Sequence, residues 1–386
     1  MSVKALLLVS FLLIFILESI TSIAYYHRNK SDIQSISSTA AAIKWAFLKI
    51  QTRNTSYKLD RLISSRNKGI DAFPWFPFDP ALYRDEKYFY LANVPLTKIV
   101  YCEETEGIAD WQSDEFGFRN PIGQVNNDVD LILLGDSFAE GACVSEAYTF
   151  AGILREDAKA VLNLARGGTG PLYSLAVLRE YGQSVRTKSI LWVIFTGNDL
   201  ADLKAEKRTR LSNYLSNRYT QNLSKNRHEV ATNLRNLLEN EIAIQLRQKE
   251  RISPIERTSI RTGNEYVNVE NEVGLLLEIL GKVKDISLSR GSSLSFAIVA
   301  HPRYGNYTVQ DQTAETVMNF ARHNNLPFIY FSRDYLSDNW ESFYTSGSPH
   351  FNLIGYQSVG HKIRDWLSSG ENVLVLKDGS LDQGIK

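Results

Sequence analysis

The sequence predicts a three-layer α/β domain on a mostly parallel five-stranded sheet, with an N-terminal transmembrane helix ahead of it and a helical insertion inside it. Three observations carry this expectation. Across about residues 128–370, short apolar runs of strand type alternate with longer stretches of helical periodicity, the pattern of a sheet covered on both faces. An apolar run from Ala5 to Leu17, interrupted only by Ser10, stands near the start of the chain. The strand–helix rhythm breaks once, from Asp199 to about Arg261, where the sequence turns charged and helical.

Taken in order, residues 1–30 read as a membrane signal. Ala5 to Tyr26 gives 22 residues, close to the ~20 needed to span a bilayer, with Tyr25 and Tyr26 at an interface ahead of Arg28 and Lys30. The same stretch also fits a cleaved signal peptide, with Lys4 as the basic start and Ser22 and Ala24 as the small residues before the cut. Both readings put the rest of the chain outside the cytoplasmic membrane: anchored and periplasmic, or exported after cleavage. Residues 31–70 are polar with a narrow apolar stripe at Ala40-Ala41-Ala42-Ile43 and Trp45-Ala46-Phe47-Leu48, a helical stalk. Residues 71–127 are rich in Pro and aromatics, as in Phe73-Pro74-Trp75-Phe76-Pro77-Phe78, and predict irregular loops and short strands packed on the core.

The core strands are expected at 129–134, 160–164, 189–195, 294–300 and 327–331. Helices at 146–157, 171–184, 268–288, 308–323 and 355–368 separate or close them. The insertion, about 200–262, carries Leu234, Leu237, Leu238, Ile242 and Leu246 at helical spacing. It either packs on the core, covers the mouth as a lid, or offers a docking surface to an envelope protein partner. Residues 371–386 read as a C-terminal tail.

The chemistry concentrates at strand ends. Asp130 to Leu134 empties into Gly135-Asp136-Ser137, which sets one hydroxyl at the C-terminal mouth of an apolar strand, where α/β sheets collect ligands. A second strand runs into Asn163-Leu164-Ala165-Arg166-Gly167-Gly168-Thr169-Gly170, whose glycines expose backbone N–H groups, and a third into Thr196-Gly197-Asn198-Asp199. Near the C-terminus, Ser348-Pro349-His350-Phe351-Asn352 precedes a helix that begins near Gly355, so His350 is the natural general base. A serine hydroxyl must lose its proton as it attacks an ester carbonyl, and the oxyanion that forms needs donors aimed at it, each worth ~3 kcal/mol. The strand 294–300 delivers His301-Pro302-Arg303-Tyr304 to the same sheet edge, which singles out His301 among the remaining histidines.

These four blocks, in this order, resemble the SGNH (GDSL-type) hydrolase superfamily over about residues 115–368, and the Gly117-Phe118-Arg119-Asn120 stretch resembles one in its extracytoplasmic, membrane-anchored bacterial members. The resemblance implies a flavodoxin-like SGNH fold, with Ser137 as nucleophile, His350 as base, and Gly168 and Asn198 as oxyanion-hole donors alongside the Ser137 N–H. Gly167 is the rival for the glycine position. The implied activity is ester hydrolysis or O-acyl (acetyl) transfer through a Ser137 acyl-enzyme, on an acylated small molecule or envelope glycan. One member departs from the pattern: the acid usually found two or three residues before the His is replaced by Gly347 and Ser348. A backbone carbonyl can take its place in a Ser-His dyad, Asp334, Asp338 or Glu341 can reach in from the preceding segment, or the chain is an SGNH-fold binding or assembly protein with weakened turnover.

Composition bounds the rest. Lys+Arg and Asp+Glu number 43 each, so no net field favours nucleic acid as a partner. No Cys, Asp or Glu stands at metal-ligand spacing from a histidine, so neither metal nor other cofactor is expected. Cys102 and Cys143 are the only cysteines, free thiols or one disulfide in an oxidising compartment.

Overall fold

The computed structural model describes residues 59–75, 82–83, 86–104, 107–126, 128–157, 160–250, 270–344, 349–377 and 380–382. The apolar segment 5–26 and the stalk up to residue 58 lie outside them. Among the described residues no helix is long and apolar enough to cross a membrane. The chain divides into two compact units, Met1–Ser64 with Glu241–Arg257, and Ser65–Asn240 with Thr258–Lys386. The described parts of the first, 59–64 and 241–250, are helical. The second holds the sheets, Ser137 and His350.

The Pro- and aromatic-rich segment forms a small sheet of β1 (Ala72–Pro74), β2 (Lys98–Val100) and β5 (Trp111–Gln112), with a two-residue-per-strand hairpin, β3 (Glu103–Glu104) and β4 (Gly107–Ile108), between β2 and β5. The large sheet contains β6 (Val129–Leu134), β7 (Val161–Asn163), β8 (Thr187–Phe195), β9 (Ser293–Val299), β10 (Phe328–Phe331), β11 (Val373–Lys377) and β12 (Ser380–Asp382), in the order β12-β11-β10-β9-β8-β6-β7. All neighbours pair in parallel except β11 and β12. The sheet therefore has seven strands rather than five. The expected tail contributes the two extra ones: β11 extends the parallel set to six, and β12 turns back antiparallel along the edge.

Central strands are apolar on both faces because helices cover both sides. The last four residues of β6 and the last six of β8 are all buried. One face packs Leu131, Leu133, Val193 and Ala297 against Phe150, Leu154, Val359 and Ile363 from the helices Phe150–Arg155 and Leu353–Ser369. The part of the insertion that belongs to the second unit, up to Asn240, packs on the core through two buried carboxylates. Glu206 accepts the Gly170 and Leu172 N–H groups at the start of the helix Pro171–Glu180, and Glu180 accepts the Gln221 and Leu223 N–H groups and the Tyr214 hydroxyl.

Strand order reverses at β6: the chain moves to one side for β7 and returns past β6 to the other side for β8. The C-terminal ends of β6 and β8 form the switch point of a doubly wound sheet, where such folds open a ligand site.

Candidate active site

Separated from the end of β6 by Gly135 and Asp136, Ser137 opens the four-residue helix Ser137–Glu140, which Asp136 caps by accepting the Phe138 N–H at 2.9 Å. Phe138 anchors the turn in the core, stacked on Phe195 with ring centroids 4.1 Å apart and edge-on to Phe351 at 5.1 Å. From the other end of the chain, Asn352 caps the helix Leu353–Ser369 by accepting the Gly355 N–H, and Phe351 is buried. The residue between that buried Phe351 and Pro349 is His350. Its Nε2 lies 3.0 Å from Ser137 Oγ, within reach for proton transfer.

The glycine loop after β7 comes up against the same serine: a Cβ on Gly167 would lie 3.3 Å from Ser137 Cβ and 3.0 Å from Glu140 Oε2. The Gly167 N–H is held by Glu140 Oε2 at 2.9 Å. Gly168 is different. It has a φ of +74°, and among the described residues a Cβ there would meet nothing within 4 Å, so of the two it is the one not packed against Glu140. At the end of β8, Asn198 donates from Nδ2 to Asp202 Oδ2 at 2.8 Å. The amide nitrogen carries two hydrogens, so this bond fixes its orientation while a second hydrogen stays available.

Asp334, Asp338 and Glu341 make no hydrogen bond or ion pair with His350. All three are exposed on the outer faces of the short helices Arg333–Asp338 and Trp340–Phe343, which turn Tyr335, Leu336 and Phe343 inward. Cys102 and Cys143 form a disulfide, with Cα atoms 5.3 Å apart, joining the segment after β2 to the loop that follows the Ser137 helix.

Residues to which the sequence assigns no role in the site hold it together. Glu140, buried three residues after Ser137, accepts Trp75 Nε1 at 3.1 Å and the Tyr101 hydroxyl at 3.0 Å as well as the Gly167 N–H. Burial pushes its carboxyl up, opposed by the Gly167 and Trp75 bonds and by the Arg166 and Arg119 charges. Arg119, also buried, donates to the Gly141 and Val144 carbonyls at 2.7 Å each and from Nε to Glu146. The Gly117-Phe118-Arg119-Asn120 stretch is thus a brace for the serine loop. Asn120 carries the brace to β7 by donating to the Asn163 carbonyl and accepting the Asn163 N–H.

Burial also pushes the Asp136 carboxyl up from 3.8 to about 7, against the Phe138 N–H bond and with help from the Asp202 charge. A raised acid of this kind contributes stability that is fully present below pH 3.8 and is lost as pH rises through about 7. Asn at this position can still accept the Phe138 N–H but cannot titrate. Asp136→Asn is therefore expected to flatten the fall in Tm between about pH 4 and pH 7. Parallel Tm–pH curves for the two proteins, measured by calorimetry, count against the assignment.

No family model and no curated relative matches this chain. Among solved structures it is similar to a protein assigned as a lipolytic member of the G-D-S-L family from Desulfitobacterium hafniense DCB-2, at 11% identity over 62% of this chain and 99% of that one, with a TM-score of 0.39. It is similar also to the lipase/acylhydrolase from Enterococcus faecalis, at 13% identity over 62% and 96% with a TM-score of 0.36. A third, assigned as an SGNH hydrolase from Slackia heliotrinireducens, has 11% identity over 62% and 100% and a TM-score of 0.33.

Proposed function

We propose that the protein is a serine ester hydrolase or O-acyl transferase of the SGNH type, acting through an acyl-enzyme on Ser137. The observation that carries this reading is the 3.0 Å approach of His350 Nε2 to Ser137 Oγ at the switch point of the sheet. In the proposed reaction His350 Nε2 accepts the hydroxyl proton as Oγ bonds to the ester carbonyl carbon. The negative charge moves to the carbonyl oxygen, where the Ser137 and Gly168 N–H groups and the Asn198 amide donate to it. The carbonyl re-forms as the alcohol leaves, taking the proton from His350. Water or a sugar hydroxyl then gives its proton to His350, attacks the acyl-enzyme, and Ser137 is released with its proton restored.

The disulfide supports action in an oxidising compartment, outside the cytoplasmic membrane, as does the apolar stretch from Ala5 to Tyr26. An acylated envelope glycan is the substrate class that suits such a location. A serine-reactive fluorophosphonate tests the chemistry directly: intact mass should show one adduct on the wild-type protein, mapped to Ser137 by peptide sequencing, and none on Ser137→Ala. Absence of an adduct on folded wild-type protein overturns the reading and leaves a binding or assembly role.

A further inference from the structure

His301 is buried, 1% exposed, at the end of β9, and every polar atom it has is engaged. Its Nδ1 accepts the Arg303 N–H at 3.0 Å. A neutral imidazole with an accepting Nδ1 carries its hydrogen on Nε2. That hydrogen points at the Pro349 carbonyl, 3.1 Å from Nε2, and Pro349 is the residue before the proposed base. Burial drives the His301 pKa down to about 4, opposed by the Pro349 carbonyl bond and aided by the neighbouring His350 charge, in keeping with the neutral ring that the Arg303 bond requires.

The backbone of His301 is fixed from the opposite side. Gln310 Oε1 accepts the His301 N–H at 2.8 Å, and Gln310 Nε2 donates to the His301 carbonyl at 3.0 Å and to the Tyr304 carbonyl at 2.6 Å. Gln310 Oε1 also accepts the Thr196 hydroxyl at 3.1 Å, two residues before Asn198. Four aromatic rings, Phe195, Tyr304, Trp340 and Tyr344, surround the imidazole edge-on with centroids 4.7–5.9 Å away. One chain of bonds thus runs from the loop bearing Asn198, through Gln310 and His301, to the loop bearing His350.

We infer that His301 is a positioning residue: its Nε2–H bond to the Pro349 carbonyl sets the loop that brings His350 to Ser137, in register with the Asn198 loop. This rests on the serine-hydrolase reading above. A displacement of about 1 Å in a reacting group can cost on the order of a hundredfold in rate, and a carbonyl freed from its donor lets the 349–350 backbone relax by such amounts. His301 touches no reacting atom, so the loss falls on the chemical step rather than on substrate capture.

The test compares two amides at this position. The side chain of Gln reaches far enough to place an N–H where the imidazole Nε2–H stands, whereas Asn reaches only as far as Nδ1 and can satisfy Arg303 alone. With a p-nitrophenyl acetate assay and the fluorophosphonate labelling rate of Ser137, His301→Asn is expected to lower both kcat and labelling by about 10- to 100-fold with KM unchanged. His301→Gln is expected to restore most of both. Melting curves on each variant identify those that are folded, and Pro349→Gly, which leaves His301 intact and loosens the held segment, is expected to reproduce the kcat loss. Equal, near-wild-type rates in Asn and Gln variants overturn the inference, as do equal losses in both at equal Tm. If wild-type protein neither labels nor turns over, it is the hydrolase reading that has failed.

Discussion

His350→Ala is expected to slow acylation of Ser137 by about four to six orders of magnitude, read as the rate of fluorophosphonate adduct formation or the burst with p-nitrophenyl acetate. The size follows from the geometry. At neutral pH a serine hydroxyl is almost wholly protonated, and the group 3.0 Å from Oγ that can take the proton is His350 Nε2. Removal of the ring leaves the proposed oxyanion donors in place, so a residual rate above that of water is expected. The fold should survive: the ring is half-buried and packs on Phe138 at 5.6 Å, while the neighbouring Phe351 and Asn352 make the contacts that seat the segment. Asp334→Asn, Asp338→Asn and Glu341→Gln should leave the rate unchanged, because all three carboxylates face solvent. Full activity in His350→Ala would mean that another base serves Ser137. A large loss in one of the three carboxylate variants would restore a triad.

The parts of this site that were legible in the sequence are those that local pattern encodes. Five strands announced themselves because burial on both faces writes them as continuous apolar runs, and Ser137 and Asn198 because each stands where such a run ends. The edge strands β11 and β12 carry a weaker mark. Val373 to Val375 are only half-buried, and four apolar residues, Val373-Leu374-Val375-Leu376, are too few to separate strand from tail. The one available signal was the pair Asp378-Gly379 between them, a common hairpin turn sequence. The clamp around Glu140 had no such signal. Trp75 lies 65 residues and Tyr101 39 residues away in sequence, and no periodicity relates residues that meet only through the fold. The same contact separates Gly167 from Gly168, a distinction that two adjacent glycines cannot express by themselves. The disulfide was open for a like reason, since a 41-residue spacing is compatible with either thiols or a bridge.

Glu140→Ala is expected to act on stability and turnover together. It leaves the Trp75 Nε1–H, the Tyr101 hydroxyl and the Gly167 N–H without their acceptor in a buried site, and each such loss costs about 1–3 kcal/mol. A total near 4 kcal/mol, measured by chemical denaturation, allows for partial relaxation around the space the side chain vacates. Gly167 is then no longer pinned, and Gly168 moves with it. An oxyanion donor out of place costs about a hundredfold or more in kcat. Glu140→Gln separates the two effects. Its Oε1 can keep Gly167 and Tyr101, but its Nε2 meets the Trp75 Nε1–H donor to donor. The Gln variant should therefore lose stability, by about 1–2 kcal/mol, and hold most of its kcat. A Glu140→Ala protein with wild-type kcat would show that the glycine loop keeps its place without the clamp. A Gln variant as slow as Ala would show that the carboxylate charge, rather than the bond to Gly167, is what the site requires.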